Sequence, residues 1–94
     1  MSVYSIWEAR YPRHAADEEL EVTRAIWADM PSFDGYLDHE IVQDLDDRAH
    51  LFVVSRWRDR ESAAAALSYR SHPYAQRADE LATEPRRRTV GVAC

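Results

Sequence analysis

The run from Pro31 to Glu61, PSFDGYLDHEIVQDLDDRAHLFVVSRWRDRE, restricts the fold more than any other part of this sequence. Pro31 stops a preceding helix. Phe33-Asp34-Gly35-Tyr36 reads as a turn, and a strand follows from about Tyr36 to Gln43. The acidic stretch Asp44-Leu45-Asp46-Asp47-Arg48 leads into a second strand from His50 to Trp57, so the two form an antiparallel hairpin. Asp59 is a good N-cap for a new helix. A helix stop, a hairpin and a helix start in such close succession leave few arrangements open.

The flanks narrow the choice. Val3 to Tyr11 is rich in β-branched and aromatic residues and reads as a first strand. Val3, Ser5, Trp7, Ala9 and Tyr11 point to one face, and Tyr4, Ile6, Glu8 and Arg10 to the other. A helix from about His14 or Ala15 to Met30 carries the apolar stripe Leu20, Val22, Thr23, Ile26, Trp27 and Met30. Asp17, Glu18 and Glu19 sit in its early turns, where they suit the positive end of the helix dipole. Beyond Asp59, a helix holding Ala63 to Ala66, Leu67 and Tyr69 breaks near His72. Pro73 starts another helix with the stripe Tyr74, Ala78, Leu81 and Ala82. Pro85 closes it, and Arg86 to Ala93 reads as a fourth strand.

The order β-α-β-β-α-β, with its second helix broken in two, is the ferredoxin-like split βαβ arrangement. This is an α+β fold with a four-stranded antiparallel sheet and helices on one face. One domain spanning residues 1–94 is expected. The first strand is apolar on both sides, so the uncovered sheet face is expected to pack against a second copy of the chain as a homodimer.

Composition removes several chemistries. Cys94 is the only cysteine, so an intrachain disulfide, a thiolate metal cluster and a CxxC redox site are excluded. All twelve basic residues are Arg, which removes lysine Schiff-base chemistry. Gly35 and Gly91 are the only glycines, too few for a P-loop or a dinucleotide turn. A net charge of −5 argues against nucleic-acid binding. No apolar run is long enough to span a bilayer and no signal pattern opens the chain, so a soluble cytoplasmic protein is expected.

Pro31-Ser32-Phe33-Asp34-Gly35-Tyr36, then the hairpin, then Arg56-Trp57-Arg58-Asp59-Arg60-Glu61, and finally His72-Pro73-Tyr74, resemble the antibiotic biosynthesis monooxygenase (ABM) family. The similarity covers essentially the whole chain in order and length, and the order of the motifs carries it. It implies a dimeric α+β barrel with a pocket between sheet and helices. It further implies a monooxygenase using O2 without a cofactor on an aromatic or polyketide-like molecule. Aromatic oxygenases of the family use the Trp at the Trp57 position, an Asn four residues before it and a Tyr six after it. This sequence has Trp57 but carries Val53 and Ala63 at the other two places. Haem-degrading members use an Asn, a Trp and a His where this chain has approximately Ala9, Ala66 and Ala78.

Cofactor-free oxygenation needs a base near neutrality, a donor for developing charge and a dry cavity. Of the four histidines, His14 and His50 are expected to be exposed, and His39 faces either the pocket or the dimer core. His72, at the helix break, is the candidate base, with helix capping as its structural alternative. Trp57 is the candidate donor, through its indole N–H, or else a core residue. Tyr36, Tyr74, Trp7, Ser5 and His39 are the candidate substrate-binding residues. Ala63 to Ala66 either leave room for a ligand or pack closely on the sheet, and Arg86 to Arg88 either receive an anion or protect a strand edge. No metal ligand set stands out. A cyclase or isomerase on the same fold, and a non-catalytic small-molecule binder, are the alternatives.

Overall fold

Alternation of side chains along the strands decides which face of the sheet is covered. The computed structural model describes residues 2–94. Its strands are β1 (Val3–Arg10), β2 (Tyr36–Gln43), β3 (His50–Trp57) and β4 (Arg87–Gly91), and its helices are α1 (Ala16–Asp29), α2 (Arg60–Ala65) and α3 (Pro73–Leu81). The strands form one antiparallel sheet in the order β2-β3-β1-β4, the ferredoxin-like topology expected from the sequence. Val3, Ser5 and Ala9 of β1 and Leu51, Val53, Ser55 and Trp57 of β3 are buried on the helix side. Val3, Val53 and Trp57 pack there with Ile26, Trp27 and Met30 and with Ala63, Ala66, Ala75 and Ala78, while Ala9 packs with Tyr11, Ala16 and Ala49.

Local chemistry sets the boundaries. The first helix begins as a 3-10 turn at Arg13–Ala15, and Pro31 sits inside a second 3-10 turn, Met30–Ser32, which ends it. Gly35 adopts φ 84°, and a Cβ there would lie 2.2 Å from the Ser62 hydroxyl oxygen, so only glycine fits. The Asp59 carboxylate accepts the Ser62 N–H at 2.8 Å and caps α2. After one and a half turns α2 tightens into a 3-10 segment, Ala66–Ser71, before α3 restarts at Pro73.

Glu19 is 1% exposed, because it stands four residues before Thr23 and seven before Ile26, on the buried stripe of α1. His50 differs from expectation: it is buried, not exposed. Its Nε2 lies 2.7 Å from Glu8 and its Nδ1 2.9 Å from Asp44, so two carboxylates flank the ring and hold its pKa above the ordinary value, with Asp44 the larger cause.

The other sheet face carries no helix. Val54 and Phe52 of β3 are half-buried there, while Ile6 and Val42 are exposed. Among the described residues no helix is long and apolar enough to cross a membrane.

Candidate active site

A cavity of about 60 Å³ lies between the sheet and the helices. Its sheet wall is Ser5, Trp7, Ala9, Leu51, Val53 and Trp57, and α1 contributes Glu19, Thr23, Ile26 and Trp27. Ala63, Ala66, Leu67, Tyr69 and Arg70 close it from the α2 side, and Arg86 and Arg88 from β4 and its approach. The small side chains of Ala63 and Ala66 therefore border open volume as well as the sheet. Arg86 and Arg88 turn inward: Arg86 lies over the Trp7 ring at 5.2 Å and pairs with Asp79 at 2.7 Å, and Arg88 donates to the Ala63 carbonyl at 3.2 Å. Edge protection describes only Arg87, which is exposed on the opposite face.

The candidate residues from the sequence fall into three places. Trp57, Trp7 and Ser5 line the cavity. Trp57 is 1% exposed, and its indole N–H donates to Ser55 Oγ at 2.9 Å, while Ser55 donates to the Ser5 carbonyl at 3.2 Å. The expected donor is thus already engaged in a short buried chain. Tyr36 and His39 stand beside this wall, outside the cavity lining. The Tyr36 ring meets Trp57 edge-on at 5.6 Å, and the His39 ring lies 5.3 Å from Trp27. Burial lowers the pKa of His39 and raises that of Tyr36, and the Tyr36 hydroxyl and His39 Nδ1 share a hydrogen bond of 2.6 Å. His39 faces the helices, not the open sheet face.

His72 and Tyr74 stand at the helix break, also outside the cavity lining. His72 Nδ1 accepts the Tyr74 N–H at 3.1 Å and caps α3, so the capping alternative describes its geometry. Its ring stacks on Tyr69 at 4.5 Å, and Tyr74 is 46% exposed. The His72 Nδ1 is thus engaged in the cap, and His72 is not among the residues that line the cavity.

Sequence reasoning did not single out Glu19 or Tyr11 as site residues, and it left Arg86 between anion binding and edge protection. The Glu19 side chain accepts the Thr23 hydroxyl at Oε1, and its Oε2 has no partner. Burial raises the pKa of Glu19, against weaker opposing effects of Thr23, Tyr11 and Arg86. Burial first, and then the Glu19 charge, push the Tyr11 hydroxyl well above its usual range. The signal for Glu19 was available: it shares the helical register of Thr23, Ile26 and Trp27. An acidic residue in a first turn suits the dipole whichever way it points, and that masked the register.

Comparison with solved structures supports the same architecture. SnoaB, a cofactor-independent oxygenase from Streptomyces nogalater, superposes with a TM-score of 0.83 at 18% identity, covering 99% of this chain and 93% of that one. Rv0793 from Mycobacterium tuberculosis gives 0.80 at 19% identity, over 100% and 96% of the two chains. PA3566 from Pseudomonas aeruginosa gives 0.79 at 16% identity, over 99% and 94%. Identities this low speak to the fold alone. No curated protein matches the chain. The family model for antibiotic biosynthesis monooxygenase, however, matches residues 3–81, from the start of β1 to the end of α3, and on that match the chain belongs to the antibiotic biosynthesis monooxygenase family.

Proposed function

We propose that this protein is a monooxygenase that uses O2 without metal, haem or flavin on a small aromatic or polyketide-like molecule. The observation that carries the reading is the cavity itself, walled by Trp7, Trp27, Trp57 and Tyr69 and placed between sheet and helices. Such a reaction needs a substrate that ionises to an electron-rich carbanion or phenolate and then reduces O2. An apolar, aromatic enclosure favours it by holding the ring flat and keeping water from the intermediate. Overall, a ring CH2 becomes C=O, one oxygen atom entering the product and the other leaving as water, so four electrons leave carbon and four reach oxygen. The substrate is thus its own reductant, and no cofactor enters the balance.

Size adds a requirement. A volume of about 60 Å³ is well below the ~150 Å³ that admits benzene to a dry apolar cavity. An aromatic ring therefore enters only when part of the wall moves. The 3-10 segment Ala66–Ser71 is the part to yield, since 3-10 hydrogen bonds are poorer and Tyr69 ties the segment to Asp29 of α1 through one exposed contact. We assign Trp7 and Trp57 to stacking and Ser5 to the sheet wall behind them. Tyr36 and His39 support Trp57 and Trp27, and His72 is not the base. The chain acts as a homodimer through its open sheet face in this reading.

Oxygen uptake in metal-free buffer, with anthrones, naphthols and hydroquinones as substrates, tests the proposal. Saturable uptake with at least one of them is expected, and none across the panel contradicts it. Val53 and Ala63, which border the cavity where aromatic oxygenases of the family place Asn and Tyr, favour a second reading as an isomerase or cyclase. Product formed under anaerobic conditions would establish that one.

A further inference from the structure

Among the described residues the cavity lining contains a single carboxyl group and no imidazole or thiol. Its other titratable members are Tyr11 and Tyr69, whose hydroxyls burial pushes upward, and three arginines. Arginine does not give up its proton in proteins. Glu19 is therefore the only carboxylate, and the only ready proton acceptor, among the described residues that face this space. It is 1% exposed, it projects from a well-packed helix, and Thr23 holds one of its oxygens while the other is unsatisfied. A buried acceptor without a partner is costly, and an apolar residue at this register would serve the core better. The groups facing it are Thr23 on its own helix, Tyr11 after β1, and Arg86 before β4, whose charge Asp79 of α3 already compensates. Burial thus prevails over the positive field and raises the pKa of the carboxyl above the ordinary glutamate value.

We propose that Glu19 is the proton acceptor of this cavity: its unpartnered Oε2 removes a proton from an acidic C–H or O–H of the bound aromatic substrate. This assignment rests on the cavity being the reaction site, as proposed above. The electron pair of the broken bond stays on the substrate as carbanion or phenolate, and Glu19 becomes a neutral acid. In the oxygenation the carbanion combines with O2 to give a peroxide anion, and Glu19 returns its proton to the outer peroxide oxygen. Removal of the second C–H proton then expels hydroxide, which takes that proton and leaves as water. Glu19 ends as it began.

The test measures the proton step apart from the oxygen step. Anaerobic exchange of the anthrone methylene protons into D2O, followed by NMR, reports the base, while oxygen uptake reports the oxygenase. Glu19→Gln keeps the shape and an acceptor for Thr23 but cannot take a proton. It is expected to lower exchange and uptake by about 100-fold or more, while anthrone binding, followed by tryptophan fluorescence, stays within about threefold. Wild-type exchange should rise with pH through a single ionisation above the ordinary glutamate range, and Glu19→Gln should abolish that rise. Glu19→Asp, which retracts the carboxyl by one methylene, should retain the pH-dependent limb at reduced rate. Exchange in Glu19→Gln within about threefold of wild type overturns the assignment and leaves the oxygenase standing. Glu19-dependent exchange without oxygen uptake overturns the oxygenase and leaves the base standing. Neither exchange nor uptake in the wild type overturns both. Should Glu19→Gln fail to fold, a flat pH profile of wild-type exchange overturns the assignment by itself.

Discussion

Glu19 and His50 give this protein a pH dependence that neither would have as a surface residue. Burial raises the folded-state pKa of Glu19, so the folded chain holds that proton at pH values where the unfolded chain has released it. Its contribution is complete below the ordinary glutamate range and declines as pH rises through the raised value. His50, raised chiefly by Asp44 with help from Glu8, acts in the same direction but later, declining as pH rises above about 6.5. Thermal melts across this range should show stability falling with pH in two windows. Glu19→Gln should flatten the lower and His50→Gln the upper; melts that keep both windows in the variants would contradict these placements. At His72 the expectation is structural. Replacing it by Ala should cost about 1 kcal/mol, the usual worth of a helix N-cap, and leave oxygen uptake unchanged. Loss of turnover without loss of stability would restore His72 as a base. A His before a Pro satisfies both patterns, and the sequence favours capping over catalysis at that residue. The position of its ring separates them.

At the scale of elements, the hairpin and its flanks were legible because each boundary has its own chemistry. Gly35 turns the chain where its carbonyl accepts the Arg58 N–H at 2.7 Å, and Asp59 caps α2 immediately afterwards. Gly35→Ala should destabilise the fold by about 2–3 kcal/mol, since it combines a positive φ with a clash against Ser62; denaturant unfolding with an unchanged midpoint would contradict this. The segment between α2 and α3 was less legible. Its break is readable from Pro73, but its proposed role as the movable wall depends on Leu67, Tyr69 and Arg70 lining the same cavity as Trp57 and Trp7, a juxtaposition of distant elements. Tyr69→Phe releases the tie to Asp29, so ligand association measured by stopped-flow fluorescence should become faster while the melting temperature changes little. The arginines before and within β4 illustrate the same limit. Strand alternation correctly sends Arg87 and Arg88 to opposite faces, yet it cannot say that the helix-side face borders a cavity.

For the molecule as a whole, the topology follows from the order of elements, and the family match agrees with it. What the order could not supply is the content of the space between the layers. Three tryptophans and a buried glutamate meet there from β1, β3 and α1, and their spacing in sequence carries no trace of that meeting. On the other side of the sheet, Ile6 and Val42 are exposed beside the half-buried Val54 and Phe52, an apolar surface that a second copy would cover. Light scattering should give the mass of a homodimer, and the double substitution Ile6→Asp with Val54→Asp should yield a folded monomer. A wild-type monomer at micromolar concentration would contradict the dimer. In the proposed reaction the cavity couples an ionised aromatic substrate directly to oxygen, and isotope labelling follows both oxygen atoms. Turnover under 18O2 in unlabelled water should place one labelled atom in the product and the other in water. Product whose new oxygen is unlabelled, or product formed equally well without oxygen, would contradict the account.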